Sequence, residues 1–483
     1  MGKILNLRLN FPIVGKSLFI LAAALFSTSL IAVIYAEPVK PFLVSGIVAF
    51  LFGLILYVFK RAGSEIESLT KKDASIIVSF SWIFFSLTGA LPYIISHSIP
   101  GFINAFFESV SGFTTTGASI LTDIEILPKS ILFWRSLTHW IGGIGIIVLV
   151  IVIMPSLNMG SYNLFTFESS VQEKIQPKIR AVGRRLMLIY LLLTITEIIF
   201  LLLGNMNLFE SVCHAFGTVA TGGFSPKNTS IAGYSPYIQY VIMIFMLLAG
   251  VNFVLHYYLF KRDFKKIKEN EELRFYLLVV IVIGFILTLS LYLKMNKPFE
   301  ESFREAFFQI ISIITCTGFA SADYLIWPTF AWTIIFLAMF LGGSTGSTAG
   351  GIKMARHLLF FKNIKMFFLQ LQSPNVIKNL KLNNNIVSED NNRTILSYIV
   401  LYFLIFAFSS ILLVFFGLDG KTASSSVATC MAGIGPGIGT VGPVSNFAHL
   451  PNIVKIILSF LMLLGRLEIY TLLILFFPNF WKN

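Results

Sequence analysis

Residues 104–119 read NAFFESVSGFTTTGAS, and this stretch decides the fold. Its first ten residues form a moderately apolar segment. That segment is too short to cross a bilayer, which takes about 20 helical residues. Small residues and Gly117 follow, and there the chain can leave the helix and turn. Because non-helical backbone at membrane depth is tolerated only inside protein or beside a water-filled cavity, the stretch predicts a re-entrant helix and a turn facing a pore.

The same pattern occurs three more times along the chain. Short apolar stretches precede clusters of small residues at 209–225, 305–321 and 423–437. Gly117, Gly222, Gly318 and Gly435 mark the four turns and are 105, 96 and 117 residues apart. An internal repeat of this length has to be recognised before a fold is assigned. Four such units predict four turns that meet around one axis, so that one chain encloses a pore with pseudo-fourfold symmetry.

The composition places these repeats in a membrane. Of the 483 residues, 56% are hydrophobic and only 12% are charged, whereas soluble proteins carry about 25% charged residues. This excludes a soluble enzyme, a secreted disulfide scaffold and a nucleic-acid-binding domain. The net charge of +13 is expected to mark loops that stay in the cytoplasm. Cys213, Cys316 and Cys430 show neither metal-ligand spacing nor a disulfide pattern. The first apolar run lacks a clear cleavage site and is interpreted as a retained helix.

Hydropathy predicts ten membrane segments, with the N-terminus in the cytoplasm. They cover about 17–36, 42–59, 74–96, 131–154, 186–204, 237–260, 275–294, 394–417 and 452–478, plus a shorter segment from Phe330. This orientation leaves 26 of the 36 Lys and Arg residues in cytoplasmic segments, as the positive-inside rule requires.

The predicted fold is an all-α polytopic membrane protein with four pseudo-symmetric repeats around one pore. Each repeat is a helix, a re-entrant pore helix, a filter and a second helix. The predicted units are 1–73 with two additional N-terminal transmembrane helices, then pore repeats at 74–185, 186–274, 275–393 and 394–483. The third repeat contains an intramembrane glycine-rich loop.

The turns carry the chemistry that a potassium site needs. K⁺ exchanges its water shell for rings of backbone carbonyls, and glycine lets successive carbonyls point along one axis. A threonine before the glycine adds a hydroxyl at 116–117, 221–222 and 317–318, whereas the fourth turn has Ile434-Gly435. The predicted filter and K⁺-binding residues are Thr115, Thr116, Gly117, Ala220, Thr221, Gly222, Cys316, Thr317, Gly318, Ile434 and Gly435. Close helix packing by small residues would explain one such pair, but not four at similar places.

A second unusual segment follows the third turn. The twelve apolar residues 330–341 make about 18 Å of helix, which cannot cross a hydrocarbon core of about 30 Å. Residues 342–351 contain five glycines. A buried arginine in the last predicted span costs about 2.5–3.5 kcal/mol and needs partners. The predicted gate consists of Gly342, Gly343, Ser344, Thr345, Gly346, Ser347, Thr348, Gly350, Gly351 and Arg466. Two alternatives stay open: a cytoplasmic linker at 342–351, and a structural ion pair between Arg466 and Glu197.

Several motifs together resemble the Trk/Ktr/HKT family of potassium transporters. Residues 111–119, 220–225 and 435–437 are similar to its filter motifs, 134–145 to the helix after the first filter, and 465–471 to its last helix. The resemblance covers essentially the whole chain, and the two additional N-terminal spans favour the Trk branch over the Ktr branch. Gly433 stands where the family often has asparagine.

The resemblance implies a function and partners. It implies potassium uptake across the bacterial inner membrane through a four-repeat filter gated by a movable intramembrane loop and a buried arginine. It also implies a homodimer and a cytoplasmic ring of nucleotide-binding, TrkA-like regulatory subunits, for which the basic run 261–268 is a candidate docking site. No nucleotide-binding fingerprint occurs in this chain, so we expect no cofactor in it, with K⁺ as the transported ion.

Other candidates and other function classes carry less weight. Glu108, Glu210 and Glu305 either concentrate cations at the outer mouth or brace the short helices. His139 and His214 lack a nucleophile or metal-ligand constellation, so we expect them to pack in the interior. A cation-coupled secondary transporter (K⁺ or Na⁺ symport) would be built from inverted repeats, whereas these repeats run in one direction. An intramembrane enzyme would need a catalytic constellation within the spans, and none is apparent.

Overall fold

The protein is an all-α, multi-pass membrane protein, which confirms the predicted fold class. The computed structural model describes residues 7–58, 71–152, 175–373 and 379–481. Within these ranges the one regular β structure is a short antiparallel hairpin of β1 (Lys381–Leu382) and β2 (Asn385–Ile386), in which Lys381 pairs with Ile386.

Two helices precede the repeats and pack tightly against each other. They are α1 (Leu7–Ile34) and α2 (Lys40–Val58). A Cβ atom at Gly15 would lie 2.6 Å from the carbonyl oxygen of Gly53, so these glycines set how closely the two backbones approach. The opposite face of α2 is exposed and apolar, as a helix in contact with lipid requires.

Each repeat contains a first span, a short pore helix and further helices after the turn. Repeat 1 comprises α3 (Lys71–Gly89), α4 (Leu91–Ile95), the pore helix α5 (Phe102–Phe113) and α6 (Lys129–Val152). Repeat 2 comprises α7 (Ile175–Leu203), the pore helix α8 (Leu208–Val219), α9 (Pro236–Ala249), α10 (Phe253–Phe260) and α11 (Phe264–Glu269). Repeat 3 comprises α12 (Glu271–Met295), the pore helix α13 (Phe299–Ile314), α14 (Thr329–Ala338) and α15 (Met354–Gln372). Repeat 4 comprises α16 (Glu389–Phe415), the pore helix α17 (Gly420–Ala432), α18 (Asn452–Arg466), α19 (Ile469–Leu473) and α20 (Pro478–Trp481).

Two of the predicted spans are broken rather than continuous. Six described helices are long and apolar enough to cross a membrane, and two bent pairs raise that number to eight. The axis bends by 101° between α9 and α10, and by 117° between α18 and the segment Ile469–Phe476. The predicted spans 237–260 and 452–478 are therefore sharply bent. Arg466 is the last residue of α18 and lies at the second bend.

Groups from distant parts of the chain stabilise both breaks. The Gly250 carbonyl accepts a hydrogen bond from the Ser344 amide at 2.9 Å, which ties the first break to repeat 3. Asn252 begins α10 by accepting from the Val254 amide at 2.8 Å. At the second break Glu468 has a φ of +59°, and its carboxylate lies 2.6 Å from Arg356.

The pore helices begin near the surface and end inside the protein. Asn207 caps α8 and Asp419 caps α17, each by accepting a hydrogen bond from a backbone amide three residues later. The Thr422 side chain and amide hydrogen-bond to Asp419 and lower the pKa of that carboxyl below its usual value. The last residue of each pore helix is buried (Phe113, Val219, Ile314 and Ala432). All four pore helices therefore deliver their C-terminal ends to the interior, where the candidate site lies.

Candidate functional site

The four turns share one backbone structure. We name them turn 1 (114–117), turn 2 (220–223), turn 3 (315–318) and turn 4 (432–435). In each, the third residue donates its amide hydrogen to a carbonyl five residues back, which is the six-to-one bond of a Schellman motif. The donors are Thr116 (2.9 Å), Gly222 (2.7 Å), Thr317 (2.8 Å) and Ile434 (2.9 Å). This bond aligns the repeats without reference to side chains.

Backbone angles give the same alignment and correct the predicted register of turn 2. The second and fourth residues of every turn have positive φ: Thr115 and Gly117, Thr221 and Gly223, Cys316 and Gly318, Gly433 and Gly435. Gly223, not Gly222, is therefore the counterpart of Gly117, and the spacings become 106, 95 and 117 residues. The Thr-Gly pair at 221–222 suggested the wrong register because Thr221 occupies the position of Thr115.

Contacts between the turns close a ring. The fourth-position glycine of each turn lies against the third-position carbonyl oxygen of the next turn in chain order. The pairs are Gly117 with Gly222, Gly223 with Thr317, Gly318 with Ile434, and Gly435 with Thr116. A Cβ atom at any of these glycines would come too close to the facing oxygen. The last pair returns to turn 1, so the four turns form a closed ring of contacts.

The backbone is similar in all four turns, but the side chains are similar only between alternate turns. In turn 1 the hydroxyls of Thr114 and Thr116 are 2.8 Å apart, and in turn 3 those of Thr315 and Thr317 are also 2.8 Å apart. Turn 2 has Ala220 and Gly222 at these positions, and turn 4 has Ala432 and Ile434. Hydroxyl pairs therefore alternate around the ring. The hydroxyl predicted for turn 2, that of Thr221, lies at the second position of that turn instead of the third.

Each pore helix also braces the chain that leaves its turn. Glu108 accepts from the Ile120 amide (2.9 Å), His214 contacts the Ser225 hydroxyl (3.0 Å), Gln309 donates to Ala322 O (3.1 Å), and Ser425 donates to Ile438 O (2.7 Å). The first three lie nine residues before the turn glycine and Ser425 lies ten before it. Glu108 thus braces a short helix, and His214 belongs to the same set of contacts. Sequence reasoning missed the pattern because it depends on the corrected register of turn 2.

In repeat 1 the brace is a buried ion pair. Arg135 of α6 binds Glu108 with Nε and Nη2, both at 2.9 Å, and both side chains are almost fully buried. The same guanidinium donates to the Ser225 carbonyl at 3.3 Å and lies 4.0 Å from the centre of the Phe224 ring. Arg135 therefore connects repeat 1 to the chain that leaves turn 2.

The glycine loop (342–351) lies directly behind the ring. The Thr348 hydroxyl donates to the carbonyl of Val219, the last residue of α8, at 3.0 Å. A Cβ atom at Gly350 would collide with the carbonyl of Ala432, the last residue of α17. Ser344 is 1% exposed and Thr348 is fully buried. The loop is thus held inside the protein against the ends of two pore helices, where the sequence predicts a gate and where a cytoplasmic linker would not lie.

Arg466 reaches the loop from repeat 4. Its Nη1 donates to the Thr348 carbonyl at 2.8 Å and its Nη2 to the Gly142 carbonyl at 3.1 Å. Gly142 in turn packs on turn 1, because a Cβ atom there would lie 3.0 Å from Thr115 Cγ2. Among the described residues no ion pair joins Arg466 to Glu197. Arg466 is therefore positioned by backbone carbonyls of repeats 1 and 3.

Comparison with known proteins identifies the family. A family model described as "TrkH: Cation transport protein" matches residues 39–483. The chain belongs to the TrkH family. It is 35% identical over 479 residues to the Trk system potassium uptake protein TrkH of Salmonella typhimurium, with 98% of both chains covered. It is also 35% identical over 433 residues to the Trk system potassium uptake protein TrkG of Escherichia coli K12, with 88% of both covered.

A solved TrkH structure has the same architecture. The crystal structure of the potassium transporter TrkH from Vibrio parahaemolyticus superposes with a TM-score of 0.91 at 30% identity, covering 99% of this chain and 100% of that one. The family resemblance inferred from the motifs is thereby confirmed. The named TrkH relatives are potassium transport proteins rather than enzymes.

Of the remaining candidates in this TrkH-family chain, Glu210 and Glu305 make contacts outside the four turns, whereas His139 packs against Gly222 of turn 2. Glu210 accepts from the Tyr234 hydroxyl at 2.9 Å, and Glu305 binds Lys297 at 2.7 Å. His139 lies behind turns 1 and 2, with Nδ1 2.8 Å from the Gly112 carbonyl and its ring 4.1 Å from that of Phe224. In the described part of the chain no cluster of three His, Cys, Asp or Glu residues could hold a metal. These residues therefore serve packing and ion pairing in the structure.

Proposed function

We propose that the chain is the potassium-conducting uptake subunit of a Trk system. The observation that carries this proposal is the closed ring, in which each turn glycine faces a carbonyl of the next turn. A single chain with four such turns offers K⁺ a ring of backbone oxygens in place of its water shell. The printed names of the relatives, potassium uptake proteins of Trk systems, support the same ion.

The filter consists of the predicted residues together with two that the backbone adds. Gly223 and Gly433 adopt the left-handed conformation of the predicted turn residues and join the list on that basis. Because the pore helices end at the turns, the negative ends of their dipoles favour a cation on the axis. Cys316 and Gly433 occupy the position of Thr115. Because the side chains at this position differ from turn to turn, its contribution to the filter is the backbone carbonyl.

The glycine loop and Arg466 form the gate. The loop closes the path at the inner ends of the pore helices, and the guanidinium places a positive charge beside it. A cation leaving the filter would meet both a steric and an electrostatic barrier. Conduction therefore requires the loop to leave its hydrogen bonds.

Orientation, location and partners complete the proposal. The chain lies in the bacterial inner membrane. Its N-terminus is in the cytoplasm, because this orientation leaves 26 of the 36 basic residues in segments predicted to be cytoplasmic. It works as a homodimer, contacts membrane lipid, and is regulated by a ring of TrkA-like nucleotide-binding subunits docked near residues 261–268. This chain itself carries no cofactor.

Ion flux in proteoliposomes tests this function. We expect the purified chain to carry K⁺ and Rb⁺ down their gradients much faster than Na⁺, with no second ion required. Uptake that depends strictly on a proton or Na⁺ gradient would instead identify a symporter. The absence of K⁺ movement in either condition, with correctly folded protein, would overturn the proposal.

A further inference from the structure

A buried glutamate in repeat 3 contacts the backbone of the glycine loop and of the helix that follows it. Glu272 is the second residue of α12 and is only 6% exposed. Its Oε1 accepts a hydrogen bond from the Thr345 amide at 2.5 Å and another from the Ala355 amide at 3.1 Å. These donors are ten residues apart, so one oxygen atom joins the loop itself, at Thr345, to the helix that follows it, at Ala355.

The chemistry of this contact differs from that of the backbone-to-backbone contacts of the loop. Ser344 donates to Gly250, and Gly346 accepts from Phe253, through neutral backbone groups. Hydrogen bonds to an ionised acceptor are shorter and stronger than neutral ones. Ala355 also lies in the first turn of α15, where the helix dipole favours a negative charge. A neutral or truncated side chain at position 272 would therefore weaken the attachment of the loop at Thr345 and of α15 at Ala355.

Glu272 and Arg466 hold the loop in complementary ways. Arg466 donates to a carbonyl of the loop, at Thr348, whereas Glu272 accepts from an amide of the loop, at Thr345. The guanidinium belongs to repeat 4 and the carboxyl group to repeat 3. The loop is thus held by side chains from two different repeats.

We propose that Glu272 is a positioning residue that latches the glycine loop in its closed conformation. The latch connects the gate to the first span of its own repeat, so a movement of the N-terminal end of α12 would pull on the loop. This inference rests on the proposed gating role of the loop and assigns a second charged group to it.

The adjacent residue provides a matched control. Glu271 forms an ion pair with Lys362 and accepts no hydrogen bond from the glycine loop within the described structure. Its side chain is 30% exposed. Glu271→Gln therefore removes the same charge one residue away without touching the latch.

The test compares K⁺ flux in proteoliposomes that contain no regulatory subunit. We expect Glu272→Ala to raise basal K⁺ flux by about tenfold, since it removes two hydrogen bonds to a charged acceptor. Glu272→Gln keeps a weaker acceptor and should raise the flux less, whereas Glu271→Gln should leave it unchanged. The K⁺, Rb⁺ and Na⁺ selectivity order should stay as in the unmodified chain, because the filter is not altered. If Glu272 had only a structural role, its variants would lower the K⁺ flux instead of raising it.

The outcomes separate this inference from the function on which it rests. If a deletion within 342–351 raises flux while both Glu272 variants match the unmodified chain, the latch is wrong and the gate stands. If the deletion also has no effect, the gate itself is wrong, and if the unmodified chain carries no K⁺, the proposed function fails. Should Glu272→Ala not fold, the Gln variant decides, because it preserves side-chain size, and unchanged flux in it overturns the latch.

Discussion

At the scale of single residues, Gly117 shows why the turns tolerate so little change. Its φ of +80° lies in the left-handed region, where a side chain costs about 1–2 kcal/mol. A Cβ atom would also meet the carbonyl oxygen of Gly222 in the neighbouring turn. The same Gly222 oxygen is proposed to line the ion path. A side chain at position 117 would therefore strain the backbone and also displace an oxygen that is proposed to bind K⁺.

Substitution of Gly117 by alanine should therefore stop conduction. We expect K⁺ flux of Gly117→Ala in proteoliposomes to fall by at least about tenfold, which corresponds to about 1.4 kcal/mol on the barrier. Gly420→Ala is the matched control, because this glycine begins α17 and has no atom within 4 Å of an added Cβ. Equal flux in the two variants would show that the ring does not line the path.

At the scale of elements, sequence reasoning found the pore helices but not the breaks. A short apolar stretch before small residues identifies each re-entrant helix, since its length and composition are local properties. The bends at Gly250 and Glu468 depend on Ser344 and Arg356, which lie about 100 residues away. No local hydropathy pattern reports such partners, so both spans looked continuous.

The candidate site divides in the same way. Turns 1 and 3 were placed in the register that the backbone has, because threonine and glycine occupy matching positions in both. Turn 2 was displaced by one residue, since its helix ends before Ala220 and the pair Thr221-Gly222 imitates Thr116-Gly117. Whether these residues bind K⁺ stays a prediction that flux measurements decide.

The bracing of α5 gives a prediction at this scale. Arg135→Gln leaves Glu108 buried without its cation, and breaking a buried pair in this way costs about 3–5 kcal/mol. We expect a lower unfolding temperature in detergent and, in the protein that remains folded, a reduced preference for K⁺ over Na⁺. Arg393→Gln is the control, because its pair with Glu389 is exposed and such pairs contribute about 0–1 kcal/mol. An Arg135→Gln protein as stable and as selective as the control would contradict the bracing role.

At the scale of the whole molecule, the four repeats have the same backbone structure at their turns, but their side chains and additional segments differ. The carbonyl ring uses all four, hydroxyl pairs occur only in turns 1 and 3, and the glycine loop belongs to repeat 3 alone. The loop nevertheless contacts α8 of repeat 2 and Arg466 of repeat 4. One asymmetric segment is thus stabilised by several repeats, so the position of the glycine loop depends on the assembled chain.

Substitution of Arg466 tests how far the position of the glycine loop depends on the other repeats. It joins repeat 4 to the Thr348 carbonyl of repeat 3 and the Gly142 carbonyl of repeat 1. Arg466→Ala should raise basal K⁺ flux by about tenfold, because it removes two charge-assisted hydrogen bonds and the positive charge beside the path. Arg466→Lys should be intermediate, since an ammonium keeps the charge but lacks the planar fork that reaches two carbonyls at once. Arg393→Ala, at an exposed position, serves as the control. Flux at or below that of the control, in protein with an unchanged unfolding temperature, would show that Arg466 holds the repeats together without closing the path.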